Sequence, residues 1–228
     1  MSQTLCRTDA RSGRPSRWAV ILLLLVMLPG CSLGVMFNKM LFGDPKIKSQ
    51  FRMATDVDLT KGEKSLLIIC NVPHNTLSKY PSIHTDIVDR MSRHLLVRKV
   101  KVINADDVAT YYDDHGEWGN VGKLAEHFEA DFVMDIQLET FRCDVPDSPN
   151  LMQGKTDGKV TVFRASGEQV SSDSLSVAFE RTFDVTFPAY PIPRESQSEM
   201  IFLESFIDRT AISLAQFVYD HRVSETVH

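Results

Sequence analysis

Residues 65–72 read Ser-Leu-Leu-Ile-Ile-Cys-Asn-Val, a short apolar run that Pro73 brings to an end. Apolar residues at every position, rather than at alternate ones, are typical of a strand that is covered on both faces. Proline ends such a run because its ring removes the backbone N–H that a strand ladder needs. We therefore expect this segment to be the first strand of a domain and the centre of its sheet.

The next two segments predict a helix and a second strand. Ser82 can cap a helix in which apolar residues recur at spacings of three and four. Those apolar residues are Ile83, Ile87, Val88, Met91 and Leu95. Residues 97–103 alternate Val or Ile with basic side chains, which predicts a short strand with a charged margin. A strand, a helix and a strand in this order predict a right-handed crossover between parallel strands.

Residues 131–141 predict a long strand with one buried and one wetter face. Phe132, Met134, Ile136 and Leu138 fall on one side by simple alternation. The other side receives Val133, Asp135, Gln137, Glu139 and Phe141. Short helices are expected before this strand, near residues 104–114 and 121–128.

The remaining sequence predicts a meander and a closing helix. Residues 155–164 and 174–187 have strand composition, and three prolines at 188, 191 and 193 should then exclude both helix and ladder. An apolar stripe along residues 198–221 predicts a long amphipathic helix that lies on the sheet. The predicted fold class is therefore α+β, an α/β sandwich. It has a mixed sheet of four to five strands, helices packed on that sheet, and a long C-terminal helix.

The amino terminus has the order of a secretory signal. Basic residues precede an uncharged run at 18–28, and residues 28–31 read Leu-Pro-Gly-Cys. The basic residues are Arg7, Arg11, Arg14 and Arg17. A spanning helix needs about 20 apolar residues, so the uncharged run is too short to cross a bilayer. The Leu-Pro-Gly-Cys tetrad resembles the lipobox of bacterial lipoproteins.

This resemblance implies that the thiol of Cys31 is acylated, that the chain is cut before it, and that the new amine is acylated in turn, for example with palmitate. Two or more acyl chains, at ~0.8 kcal/mol per buried CH₂, hold a protein on a membrane. Ser32 in place of Asp after the cysteine implies the outer membrane, with the domain facing the periplasm. The alternative is a membrane-anchoring helix with an incidental cysteine.

With this reading the chain divides into four parts. We expect a signal peptide at residues 1–30, a lipidated tether at 31–63, a periplasmic α/β domain at 64–221 and a tail at 222–228. The whole chain has a formal net charge of −5, and the leader removes four arginines from it. An acidic mature protein argues against nucleic acid or an anionic lipid surface as the main partner.

The sequence predicts no catalytic residue, no metal and no cofactor. The densest group of possible ligands, at residues 113–117, lacks calcium-loop spacing and a second histidine at a zinc-like interval. Neither a phosphate-binding glycine loop nor a Gly-x-Ser-x-Gly elbow occurs. A metal-dependent hydrolase that uses Asp113, His115 and Glu117 is the least favoured alternative. Cys70 and Cys143 are expected to be small buried side chains, although a bridge between them stays open in an oxidising periplasm.

Aromatic residues indicate binding instead. Tyr111, Tyr112 and Trp118 flank the acidic group, and Tyr190 lies among the prolines of residues 187–193. Tyrosine and tryptophan dominate protein interfaces, so we predict these four residues as partner-binding. The alternative is that they are lids on the core.

The order of elements, together with Ala130-Asp131-Phe132-Val133, resembles one group of envelope domains. It comprises the amino-terminal region of the Tol translocation protein, the curli-secretion lipoprotein and the lipoproteins that activate penicillin-binding proteins. The resemblance covers residues 64–221 and implies a non-catalytic outer-membrane lipoprotein that binds another envelope protein. It also leaves open an oligomeric component of an export apparatus, although the long amphipathic hairpins of a secretion pore are absent from the sequence.

Overall fold

The computed structural model describes residues 46–115, 121–165 and 175–225, apart from the side chains of residues 113 and 115. The strands are β1 Lys46–Ile47, β2 Ser65–Asn71, β3 Lys101–Val102, β4 Phe132–Val145, β5 Ser148–Arg164, β6 Ser176–Pro193 and β7 His221–Arg222. The helices are α1 Gln50–Thr55, α2 His74–Lys79, α3 Ile83–Val97, α4 Ala105–His115, α5 Val121–His127 and α6 Glu199–Ala215. No helix in these ranges is long and apolar enough to span a membrane.

The main sheet is mixed and has five strands in the order β3-β2-β4-β5-β6. β2 pairs in parallel with β3 and with β4, and β5 and β6 continue the sheet in antiparallel fashion. The predicted fold class and the parallel crossover through α3 are therefore confirmed. β2 is second in the order rather than central, because β4 carries the antiparallel extension. A separate pair, β1 with β7, joins the two ends of the described domain.

Side chains from both faces of β2 are buried, as its sequence predicts. Leu66, Ile68 and Cys70 enter the larger core, which α1, α3 and α6 cover. Leu67 and Ile69 enter a smaller core beneath α4 and α5. The larger core also receives Phe51 and Leu59, both with no exposed surface. The packed domain thus begins before residue 64, inside the segment that the sequence pattern assigns to the tether.

A bulge in β4 reverses the predicted orientation of Phe141. Leu138 pairs with Gly158 and Thr140 with Asp157, so Glu139 is an extra residue on β4. An extra residue changes which face each later side chain occupies. Phe141 consequently lies in the larger core, where its ring stacks on Phe206 at 4.9 Å.

The predicted exclusion of the proline segment from the ladder is wrong in part. β6 runs through all three prolines, and the ladder resumes where Met152 pairs with Ile192 and Leu151 with Pro193. Residues 188–191 stand opposite Gln153 alone and form a wide bulge, here called the proline bulge. β6 is the outer strand of the sheet, where a residue without an N–H is tolerated.

Two other elements are shorter than predicted. The closing helix ends at Ala215 rather than near residue 221, and Val218 and Tyr219 are buried from the turn that follows it. Ser198 caps this helix by accepting a hydrogen bond from the N–H of Ile201. The strand expected at residues 97–103 is limited to Lys101–Val102, because α3 continues through Val97.

Candidate partner-binding sites

Tyr112 is almost fully buried, contrary to its expected exposure. α4 continues through the tyrosine pair and turns Tyr112 into the smaller core, where it is 6% exposed and packs near Leu67 and Ile69. Burial raises the pKa of Tyr112 to about 12, and the nearby charge of Asp135 adds to this effect. For Tyr112, the alternative given above, that the aromatic side chain covers the core, is the better description.

Tyr111 is half-buried and takes part in an aromatic cluster between α4 and α5. Its ring lies 4.6 Å from that of His127 and 5.9 Å from that of Phe128. These contacts pack the two helices against each other, so part of the ring is already used by the fold. Its role in partner binding stays a prediction. Trp118 and Cys31 lie outside the described residues.

Tyr190 is the exposed aromatic residue that the sequence predicts. It lies in the proline bulge and is 83% exposed. The side-chain amide of Gln153 donates to the carbonyls of Pro188 and Ala189, at 3.1 and 3.2 Å. β4 and β5 separate this edge of the sheet from β2, which α4 covers. Tyr190 and Tyr111 therefore belong to different surfaces.

The carboxylate of Asp135 is a buried polar group that alternation alone does not identify. It is 5% exposed and lies on β4 beside β2. The side-chain amides of Asn71 and Gln137 donate to its two oxygens at 2.7 and 2.9 Å. Both oxygens thus have a donor, as a buried charge requires. Through Asn71, this arrangement also ties β4 to β2.

The two described cysteines are both free thiols. Cys70 pairs across the ladder with Ile136, which lies well before Cys143 on β4, so the possible bridge is not formed. Burial raises the pKa of both thiols, which disfavours the reactive thiolate. Within the described ranges no group of His, Cys, Asp and Glu is placed to hold a metal. The side chains of Asp113 and His115, and all of Glu117, fall outside the description.

A cleft of about 390 Å³ lies between α3 and α4, and β2 forms its floor. Its described lining residues are Ile68, Ile69, Cys70, His84, Thr85, Val88, Asp89, Ala105, Asp106, Val108, Ala109 and Tyr112. The cleft lies beyond the end of β3, which is only two residues long. Single-sequence patterns do not identify it, because it results from the early departure of the chain into α4.

No family model matches the chain, and no curated protein matches its sequence. Solved structures show weak similarity. Lipoprotein GNA1162 from Neisseria meningitidis has 10% identity and a TM-score of 0.42, over 65% of this chain and 98% of its own. A PelC dodecamer from Paraburkholderia phytofirmans has 11% identity and a TM-score of 0.41, over 77% and 96%. Hypothetical protein CT253 from Chlamydia trachomatis has 12% identity and a TM-score of 0.39, over 68% and 96%.

No family is assigned by these matches. One of the similar structures is itself a lipoprotein. This agrees with the general expectation of a lipoprotein but does not identify a particular group of envelope domains. Similarities of this strength carry no argument about partner or activity. The resemblance to the Tol, curli and penicillin-binding-protein activator group stays a prediction.

Proposed function

We propose that this chain is a non-catalytic lipoprotein of the outer membrane whose periplasmic domain binds another envelope protein through the proline bulge. Acyl chains on Cys31 would provide the anchor. The observation that carries the binding proposal is the exposure of Tyr190 on a segment that is held from several sides. Tyrosine is enriched among the residues that contribute most to binding at protein interfaces.

The bulge is held in place before any partner arrives. Besides the two bonds from Gln153, the ring of Phe187 lies 6.3 Å from that of Phe202 on α6. After the bulge, the guanidinium of Arg194 donates to the carbonyl of Pro149 at 3.0 Å. A preformed binding segment loses little conformational entropy on association, so more of its contact energy is available for affinity.

Two exposed apolar side chains lie on the helix that packs against the start of the bulge. Met200 and Ile201, on the first turn of α6, are exposed by 69% and 55%. The following residue, Phe202, is the one that packs against Phe187 at the start of the bulge. We include Met200 and Ile201 with Tyr190 in the proposed interface, because interface cores are rich in such apolar and aromatic side chains.

Crosslinking in living cells tests this proposal. A photo-crosslinking amino acid replaces Tyr190 in one strain and Val97 in another, since Val97 is equally exposed, at 81%, but lies at the end of α3. We expect a discrete product with one envelope protein from position 190 and not from position 97. The same product from both positions, or none from position 190, would overturn the proposal.

A further inference from the structure

Among the described residues, most of one edge of β2 has no neighbouring strand. β3 pairs with Ser65 and Leu66 only, whereas β4 pairs with the other edge as far as Asn71. The N–H of Ile103 donates to the carbonyl of Leu66 at 2.9 Å, so the backbone groups of Leu66 point toward β3. Backbone groups alternate along a strand with a period of two.

This alternation directs the N–H and C=O of Ile68 and Cys70 to the same side as those of Leu66, beyond the point where β3 ends. Both residues lie on the floor of the cleft. A row of backbone donors and acceptors at a strand edge is a template for pairing with another chain. The cleft therefore offers hydrogen bonds with the spacing of a β-ladder.

The walls of the cleft fit an extended chain. β3 lies in the layer between α3 and α4, and the chain then leaves that layer at Ala105 to form α4. The two helices continue on either side of the layer and provide the walls. A strand that continued the line of β3 would therefore lie on the floor formed by β2, with one helix on each side.

The lining indicates which side chains such a strand would carry. Val88 on one wall and Val108 and Ala109 on the other favour small apolar residues. Asp89 and Asp106 are exposed at the mouth, and no lysine or arginine occurs among the described lining residues. Asp89 already pairs with Arg93 at 2.6 Å, which leaves Asp106 as the carboxylate for an incoming cation.

We propose that this cleft binds an extended peptide segment of a partner protein, which adds to β2 as a strand in the line of β3. The segment carries small apolar residues and a lysine or arginine that pairs with Asp106. At ~3.3 Å per residue, the free edge from Leu67 to Asn71 accommodates about four to five residues. Strand addition of this kind takes affinity from backbone bonds and specificity from alternate side chains. The site is separate from the proline bulge and does not depend on it.

Amide exchange tests the free edge directly. In the full lipidated protein in detergent micelles, NMR should show faster exchange for Ile68 and Cys70 than for Leu67 and Ile69, whose N–H groups face β4. All four residues are almost fully buried, so burial does not explain a difference. Equal protection of the four amides would show that the edge is already satisfied and would overturn the proposal.

A labelled peptide, Lys-Val-Ala-Val-Ala-Val, tests the strand addition. Two matched peptides carry N-methyl groups on the odd or on the even amides, which removes the donors from one edge and leaves the side chains unchanged. We expect one methylated peptide to bind at least about tenfold more weakly and the other to retain binding, because each lost bond is worth about 0.5 to 1.5 kcal/mol. Equal affinity of the two methylated peptides would show that the cleft binds its ligand without hydrogen bonds to the edge of β2. That outcome, or no saturable binding of the parent peptide, would overturn the proposal.

Variants on α4 place the peptide in the cleft. Ala109→Trp fills the cleft from an exposed position and should abolish binding, whereas Asp107→Trp, exposed on the same helix but outside the lining, should not. Asp106→Asn should weaken the lysine peptide several-fold and leave its Lys→Ala analogue unchanged. Unchanged binding in Ala109→Trp would show that the peptide binds elsewhere.

Discussion

Asp131 connects the beginnings of β2 and β4. Its carboxylate accepts hydrogen bonds from the ammonium of Lys64 at 2.8 Å and from the N–H and hydroxyl of Ser65 at 2.8 and 3.1 Å. The hydroxyl of Ser65 in turn accepts from the N–H of Asp131 at 3.0 Å. One side chain thus holds the register of two parallel strands that are distant in sequence.

Replacing Asp131 should make stability less dependent on acid pH. Burial by itself raises the pKa of Asp131, but the bonds from Lys64 and Ser65 outweigh it and hold the pKa below its usual value. Such a group stabilises the fold above its unfolded pKa of about 4, and this contribution is lost as pH falls through the lower folded pKa. We expect Asp131→Asn to lower the free energy of unfolding by about 1 to 2 kcal/mol at pH 7.

Urea denaturation at pH 7 and near pH 3 measures this effect. The difference between wild type and Asp131→Asn should shrink at the lower pH. Asp144→Asn is the matched control, because Asp144 also has a lowered pKa but forms an exposed pair with Lys79. Exposed pairs contribute little, so the control should lose less than about 0.5 kcal/mol. A difference that stays constant with pH would contradict this role of Asp131.

Burial is easier to predict than orientation at this scale. Every residue from Leu66 to Cys70 is apolar, so burial on both faces follows from the pattern alone. The helix expected near residues 104–114 already includes Tyr112 and agrees with α4. The inward direction of Tyr112 depends instead on which face of α4 packs on the sheet.

Among the elements, β4 and β5 are shaped by a close approach of two backbones. A Cβ at Gly158 would overlap the carbonyl oxygen of Gln137 and lie 3.0 Å from Cζ of Phe183. Only glycine fits there without a shift of the ladder. The contact between Gly158 and Gln137 lies next to the bulge at Glu139. Its two residues are far apart in sequence. Alternation in residues 131–141 therefore predicts the strand but not the reversal at Phe141.

Gly158→Ala should destabilise the domain because the added methyl group meets a backbone atom that cannot rotate away. We expect a loss of about 2 kcal/mol or more in the free energy of unfolding. Gly154→Ala should also destabilise the domain, since its Cβ would lie 2.5 Å from Cγ of the buried Phe206, but there the neighbour is a side chain rather than the backbone. If Gly158→Ala unfolds at the same denaturant concentration as wild type, the close approach is not a constraint.

The proline bulge depends on a side chain that lies 35 residues before Pro188. Its prolines are visible in the sequence, but the amide that holds its carbonyls is not marked by any local pattern. For this reason the sequence predicts exposure of Tyr190 correctly and the return of the ladder at Ile192 incorrectly.

Gln153→Ala should loosen the bulge without unfolding the sheet. We expect partner capture through position 190 to fall about five- to tenfold. Without the bonds from Gln153 the bulge is less ordered, and binding then costs more conformational entropy. The melting temperature should change little, since these bonds lie outside the core. Lys159→Ala, on the same strand as Gln153, removes an exposed pair with Glu180 and serves as a control that leaves the bulge intact. If Gln153→Ala captured the partner as well as wild type does, the hydrogen bonds from Gln153 would not be needed to hold the bulge.

For the whole molecule, we expect location to follow from Cys31 and not from the domain. Cys31→Ser should abolish palmitate labelling and outer-membrane location, because the acyl chains would be missing and the leader would not be removed. Amide exchange of the domain should be unchanged in this variant. Retention of Cys31→Ser in the outer membrane would contradict the anchoring proposal.

The mass of the detergent-extracted protein separates the proposed module from the alternative export component. A ring requires many copies of the chain, so a mass near that of one acylated mature chain excludes it. Metal chelation tests the hydrolase alternative. If residues 113–117 hold a metal ion, a chelator should lower the melting temperature. An unchanged melting curve would exclude the metal-dependent hydrolase.

The length of β4 sets how far the proline bulge lies from the amino-terminal end of the described domain. Phe51, just after the point where the described chain begins, lies 5.2 Å from the ring of Phe132 at the start of β4. The bulge lies opposite Gln153, next to Met152, which pairs with Asp144 near the other end of that strand. At ~3.3 Å per residue, the two ends are about 40 Å apart along the strand. If acyl chains on Cys31 anchor the protein as proposed, the segment that leads from the anchor enters the domain near the end of β4 opposite to Tyr190.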